Sequence, residues 1–126
     1  MTDAVDIDTR GLEIKTYPSG TTVFASGEPG DCAYLVAKGA VAIVTVNDKG
    51  ERVTAAMIKT GEIFGEMAIV NRTPRTTTAI AAQDCTCVVI DRSILEKRLA
   101  KTDPFIRFWI EYMSERLQAL TKRAHT

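Results

Sequence analysis

The sequence is short of histidine, of cysteine and of any surplus charge: it has one histidine, three cysteines, and 16 Lys+Arg against 16 Asp+Glu. Each shortage excludes a class of function. A lone His125 near the C-terminal end cannot complete a Ser/His/Asp or Cys/His catalytic set, nor the several-imidazole metal centre of a cupin-like enzyme. Balanced charge provides no global basic field for nucleic acid, and no charge run marks a disordered tail. No apolar run approaches the roughly 20 residues of a membrane-spanning helix. The start, Met1-Thr2-Asp3-Ala4-Val5-Asp6, is acidic where a secretory signal is basic and then apolar, so a cytoplasmic location is expected. Cys32, Cys85 and Cys87 lack metal-type spacing and are read as reduced. Cys85 and Cys87 stand at strand spacing, which puts both sulfurs on one sheet face as small core residues.

What is present is the material of one domain. At 126 residues with 45% hydrophobic composition, the chain can bury a single core but not a substantial second module. Residues 1–11 are polar and lack periodicity, which predicts a frayed lead-in to a domain over 12–126. From Leu12 short β-branched or alternating runs follow, separated by turn residues: 12–17, 22–25, 33–37, 41–46, 52–58, 77–82 and 85–90. Pro18-Ser19-Gly20, Glu28-Pro29-Gly30-Asp31 and Asn47-Asp48-Lys49-Gly50 read as turns, and Gly20, Gly27, Gly30, Gly39, Gly50 and Gly61 as turn formers. Strands this short and this punctuated predict a mainly β fold over about 12–91, a jelly roll or barrel. After Asp91 the period changes. Ser93 and Glu96 have capping-box spacing for a helix to about Ala100, and Pro104 opens a second, long helix to about Arg123. Its apolar positions Ile106, Trp109, Ile110, Met113, Leu117 and Leu120 form one stripe, expected against the barrel up to Met113 and beyond it as a lid or dimer surface.

One stretch carries candidate chemistry. In 61–79, Gly61 and Gly65 stand four residues apart, and Gly65 precedes Glu66 and a short apolar run able to form a helical turn. Such a turn offers free N–H groups to an anion, and Arg75, nine residues past Glu66, supplies a guanidinium that can grip a phosphate bidentately. A carboxylate beside a phosphate makes sense if the ligand also carries a hydroxyl, so the pair suits a sugar phosphate. The bland alternatives are a solvated strand-end arginine and a helix-start acid that only complements the dipole.

Phe64-Gly65-Glu66-Met67-Ala68 followed by Pro74-Arg75-Thr76-Thr77-Thr78 resembles the phosphate-binding cassette of the cyclic-nucleotide-binding domain family. Gly27-Glu28-Pro29-Gly30-Asp31, Tyr34-Leu35-Val36 and Lys38-Gly39-Ala40-Val41 resemble that family's glycine turns and strands, so the likeness runs from about Leu12 to the last helix. The resemblance implies a double-stranded β-helix (jelly-roll) barrel followed by two α-helices, the last a long lid or dimer helix. It implies that Arg75 holds the cyclic phosphate and Glu66 the ribose 2′-hydroxyl, with Thr76 and Thr77 able to donate to phosphate or purine. Thr76 occurs in binders of either base and does not choose between them. Thr77 departs from the alanine often found there. Val53, Ala55 and Ala56 are expected as a small apolar wall leaving room for a purine, and Leu120, Thr121 and Arg123 as the lid over the base.

The expected function is a stand-alone regulatory domain, not an enzyme, with cAMP as ligand (alternatively cGMP) and no prosthetic group. The chain ends at Thr126 without a helix-turn-helix or membrane spans, so signalling is expected through an effector protein or a homodimer partner, not through DNA or a membrane. The rival readings are a barrel that has lost its ligand and serves as a protein-interaction module, and a sensor of another effector such as haem or an iron–sulfur cluster. A single terminal histidine and three strand-placed cysteines disfavour the latter.

Overall fold

The computed structural model describes residues 8–124, with the side chains of Asn71 and of residues 121–124 outside the description. Eight strands precede the C-terminal helices: β1 (Glu13–Tyr17), β2 (Thr22–Phe24), β3 (Cys32–Lys38), β4 (Ala40–Val46), β5 (Arg52–Lys59), β6 (Ile63–Phe64), β7 (Thr78–Ala81) and β8 (Cys85–Asp91). The helices are α1 (Glu66–Asn71), α2 (Arg92–Ala100) and α3 (Pro104–Ala124). The strands form two antiparallel four-stranded sheets in the orders β1-β8-β3-β6 and β2-β7-β4-β5. This is the expected jelly roll, built as two sheets and not closed into one continuous barrel.

The core lies between the sheets and draws on both. Tyr34, Val36, Phe64, Cys85 and Cys87 come from the first sheet, and Phe24, Val41, Ala79 and Ala81 from the second. Alternation explains the choice, since in β8 Cys85 and Cys87 point inward together and are buried, as their spacing requires. The β4–β5 hairpin turns where its residues demand it: the Asn47 side-chain oxygen accepts from the N–H groups of Lys49 and Glu51, both at 2.9 Å. Only β6 has no counterpart in the sequence reading, because two residues carry no period; they pair with Tyr34 and Leu35 of β3.

Three expectations need correction. The capping box at Ser93 does not form. Asp91 is the N-cap of α2, accepting from Ser93 N at 2.8 Å and Ser93 Oγ at 2.9 Å, so the helix starts earlier and Glu96 pairs with Arg72 at 3.6 Å instead. Of the lead-in only residues 8–11 are described: Arg98 of α2 donates to the Asp8 carbonyl at 2.6 Å and to the Arg10 carbonyl, and Asp8 pairs with Arg10 at 2.9 Å. Gly30 is not among the positive-φ glycines, and its reason for being glycine lies in the site. The stripe of α3 does not pack on the sheets. That helix lies against α1 and α2, its half-buried positions include Arg107, Ser114 and Gln118, and Ile106, Trp109, Ile110 and Met113 face outward. No described helix is long and apolar enough to cross a membrane.

Candidate functional site

Gly65 stands between β6 and α1 with φ 77°, a left-handed conformation that costs glycine little and most residues roughly 1–2 kcal/mol. It turns the chain out of the sheet and starts α1, placing Glu66 in the first helical turn. The returning segment is anchored by the backbone of Arg75, whose N–H donates to Glu28 C=O at 2.8 Å and whose C=O accepts from Gly27 N–H at 2.7 Å. The loop between β2 and β3 and the cassette are thereby tied edge to edge.

The Arg75 side chain points inward and is only 5% exposed. Its Nη1 donates to the Gly65 carbonyl at 2.8 Å and its Nη2 to the Cys32 carbonyl at 2.7 Å, with the Cys32 sulfur 3.7 Å away. The Nε–H is buried without a partner. No acidic side chain pairs with Arg75 among the described residues. Gly30 makes this pose possible, because a Cβ there would meet Ala68 Cβ at 2.6 Å and Arg75 Nε at 2.9 Å. A buried cation served only by neutral acceptors is an unusual and expensive arrangement unless an anion completes it.

A cavity of about 290 Å3 opens beside this group, close to the lower end of the roughly 300–1,000 Å3 of ligand pockets. Phe64, Gly65, Glu66, Met67, Ala68, Arg75, Thr76 and Thr77 all line it, so the structure brings these residues to one hollow. Glu66 shares the cavity with Arg75 without an ion pair between them, and its carboxylate is exposed. The pair thus presents a separated cation and hydrogen-bond acceptor.

The other expected residues are placed differently. Val53, Ala55 and Ala56 lie exposed on β5 and do not line this cavity; its apolar wall is Ile43, Ile58 and Ile63. Ala56 and Ile58 sit two apart on β5, so the strand was read correctly but not its depth. Leu120 is on the outward side of α3, away from the cavity lining, while the side chains of Thr121 and Arg123 lie outside the described residues. Phe24 was not foreseen: it lines the cavity, and its ring centroid is 4.1 Å from the Arg75 guanidinium carbon. Alternation does not find it, since regular spacing gives Phe24 the face of the exposed Thr22, and β2 shifts register between the two. Arg92, the first residue of α2, was missed as well. It pairs with Asp31 at 2.9 Å and donates to the Ala68 carbonyl at 3.2 Å, joining the cassette to α2.

Comparison with known proteins identifies the family. Residues 14–102 match the family model of the cyclic nucleotide-binding domain. The chain is 31% identical over 90 residues to the cyclic AMP receptor protein of Thermus thermophilus, covering 71% of this chain and 42% of that protein. It is 32% identical over 94 residues to a cGMP-dependent protein kinase of Eimeria tenella, covering 75% of this chain and 9% of the kinase. The chain therefore spans less than half the length of either relative. Among solved structures, the EAL enzyme Bd1971 aligns in its cAMP-bound form with a TM-score of 0.66 and 25% identity, over 90% of this chain and 30% of that one. Its cGMP-bound form aligns with a TM-score of 0.67 and 28% identity, over 89% and 30%. A jelly roll matched by the family model over most of its length, this chain belongs to the cyclic nucleotide-binding domain family.

Proposed function

We propose that this chain is a regulatory domain that binds cAMP, or alternatively cGMP, in the cavity between Glu66 and Arg75 and passes occupancy to a protein partner through α3. The observation that carries the reading is Arg75, a buried arginine that lines the cavity with no acidic partner among the described residues and with its Nε–H unpaired. A cyclic phosphate supplies the missing anion, and the ribose 2′-hydroxyl donates to Glu66. Thr76 and Thr77 line the same cavity and offer hydroxyls to phosphate or base. Val53, Ala55, Ala56, Leu120, Thr121 and Arg123 enter the reading only if the bound state brings β5 and the end of α3 closer to the ligand. The domain binds the phosphodiester and leaves it intact. Nucleotide shifts the population toward the state whose cassette and helices contact it best, and α1, packed against α3, links the two. The outward apolar side of α3 is the surface for an effector protein or a second copy.

Calorimetry with cAMP and cGMP tests this directly. The expected result is saturable binding that Arg75→Ala weakens by about a hundredfold or more and Glu66→Ala by roughly tenfold, in proteins that still melt cooperatively. Absence of heat with both nucleotides, in folded wild-type protein, overturns the reading.

A further inference from the structure

We propose that Phe24 is a positioning residue for the nucleotide: its aromatic face, in place of a carboxylate, holds the Arg75 guanidinium in the pose that meets the phosphate. The inference rests on the reading of Arg75 as the phosphate ligand. The guanidinium carbon is 4.1 Å from the centroid of Phe24, against 5.7 Å for Tyr34, well inside the roughly 6 Å reach of a cation–π contact. Phe24 is itself rigidly seated. It is buried, and the rings of Tyr34 and Phe64 flank it at 5.9 Å and 6.0 Å. Tyr34 and Phe64 stack on each other at 5.0 Å with planes 14° apart, which closes the cluster from the far side.

The chemistry favours a ring over an acid at this position. A carboxylate would neutralise Arg75 and compete with an incoming phosphate for the same donors. The quadrupole of a ring stabilises the cation and leaves its net charge available. The two carbonyls of Gly65 and Cys32 fix the terminal nitrogens in the same way, as neutral acceptors. Nε–H is then the guanidinium donor left without a partner, and Phe24 and Arg75 line the same cavity. The absence of a Cβ at Gly30 leaves room for the guanidinium, since a Cβ there would meet Arg75 Nε at 2.9 Å and Cζ at 3.0 Å.

The contrast between Phe24→Leu and Phe24→Tyr separates this role from plain core packing. Leucine keeps an apolar side chain and removes the ring, whereas tyrosine keeps the ring. Nucleotide affinity, measured by calorimetry with cAMP and cGMP on variants whose cooperative melting has been checked, is expected to fall on the order of tenfold or more in Phe24→Leu. It is expected to stay within about threefold of wild type in Phe24→Tyr. Should Phe24→Leu fail to fold, Phe24→Met takes its place. Equal affinity in Phe24→Leu and wild type overturns the proposal, as does a loss in Phe24→Tyr as large as that in Phe24→Leu, which would mark packing alone. Wild-type protein that gives no heat overturns the nucleotide reading and this inference with it. Binding that persists unchanged in Phe24→Leu removes only the inference.

Discussion

Arg75 is placed by its backbone before its side chain makes any contact: its N–H and C=O bond to Glu28 and Gly27, which aims the guanidinium between β3 and α1. The glycine opposite completes the slot. Because a Cβ at Gly30 would lie 2.6 Å from Ala68 Cβ and 2.9 Å from Arg75 Nε, Gly30→Ala has no flexible side-chain end to push aside on the Ala68 face. The expected outcome is a stability loss of about 1–3 kcal/mol by urea unfolding, typical of overpacking, with weaker nucleotide binding and partial recovery when Ala68→Gly is added. A fully stable Gly30→Ala protein would show that the loop gives way and that close approach is not what the position requires. At this scale the sequence was informative about charge and silent about neighbours. Glu66 and Arg75 stand out through their spacing and the glycine before them, whereas Phe24 and Gly30 act through residues some fifty and forty-five positions away. Val53, Ala55 and Ala56 were misplaced for the same reason, since alternation tells which residues share a face but not which face borders the cavity.

Among the elements, α3 is the least satisfied. Phe105, Phe108 and Trp109 are exposed by 67%, 65% and 56%, and Ile110, Met113 and Leu120 are also more than a third exposed. Phe105 with Trp109 and Phe108 with Tyr112 form ring pairs along one side of the helix, at 6.3 Å and 6.4 Å. Ile106, Ile110, Met113, Leu117 and Leu120 recur at alternating spacings of four and three along another. Such surface leaves water readily, at about 25 cal/mol per Å2 of apolar area. Self-association is therefore expected to grow with concentration in sedimentation experiments, and Ile110→Glu is expected to reduce it several-fold while leaving the fold and the cassette intact. A monomer at every concentration would assign α3 to a different protein partner. The helix itself was legible from its period and from Pro104, but its orientation was not: an apolar stripe states that something covers it, without saying whether that cover belongs to the same chain.

For the whole molecule, the core between the two sheets carries titratable groups in neutral form. Burial pushes the Cys87 thiol up to about 12 and raises Cys85 and the hydroxyls of Tyr34 and Tyr17 above their ordinary values. In the unfolded chain these groups lose their protons at ordinary values, near 9.0 for a thiol and 10.0 for a tyrosine. Above that range the unfolded state binds fewer protons than the folded one, so stability present at lower pH is lost as pH rises from about 9 toward 12. Urea midpoints are expected to decline steadily over that window, and less steeply in Cys87→Val; a flat profile would contradict the protonated core.

The succession of strands other than β6 and of the two C-terminal helices, the turn at Asn47 and the spacing of Gly65, Glu66 and Arg75 were legible in the sequence alone, because period, turn chemistry and local spacing are properties of neighbouring residues. Tertiary structure alone decided that Asp91 caps α2, that Phe24 and Gly30 enclose Arg75, that Ile43, Ile58 and Ile63 wall the cavity, and that α3 turns its apolar sides outward. These depend on which distant segments meet, and the two sheets settle that by burying one shared core, a condition that no local pattern encodes.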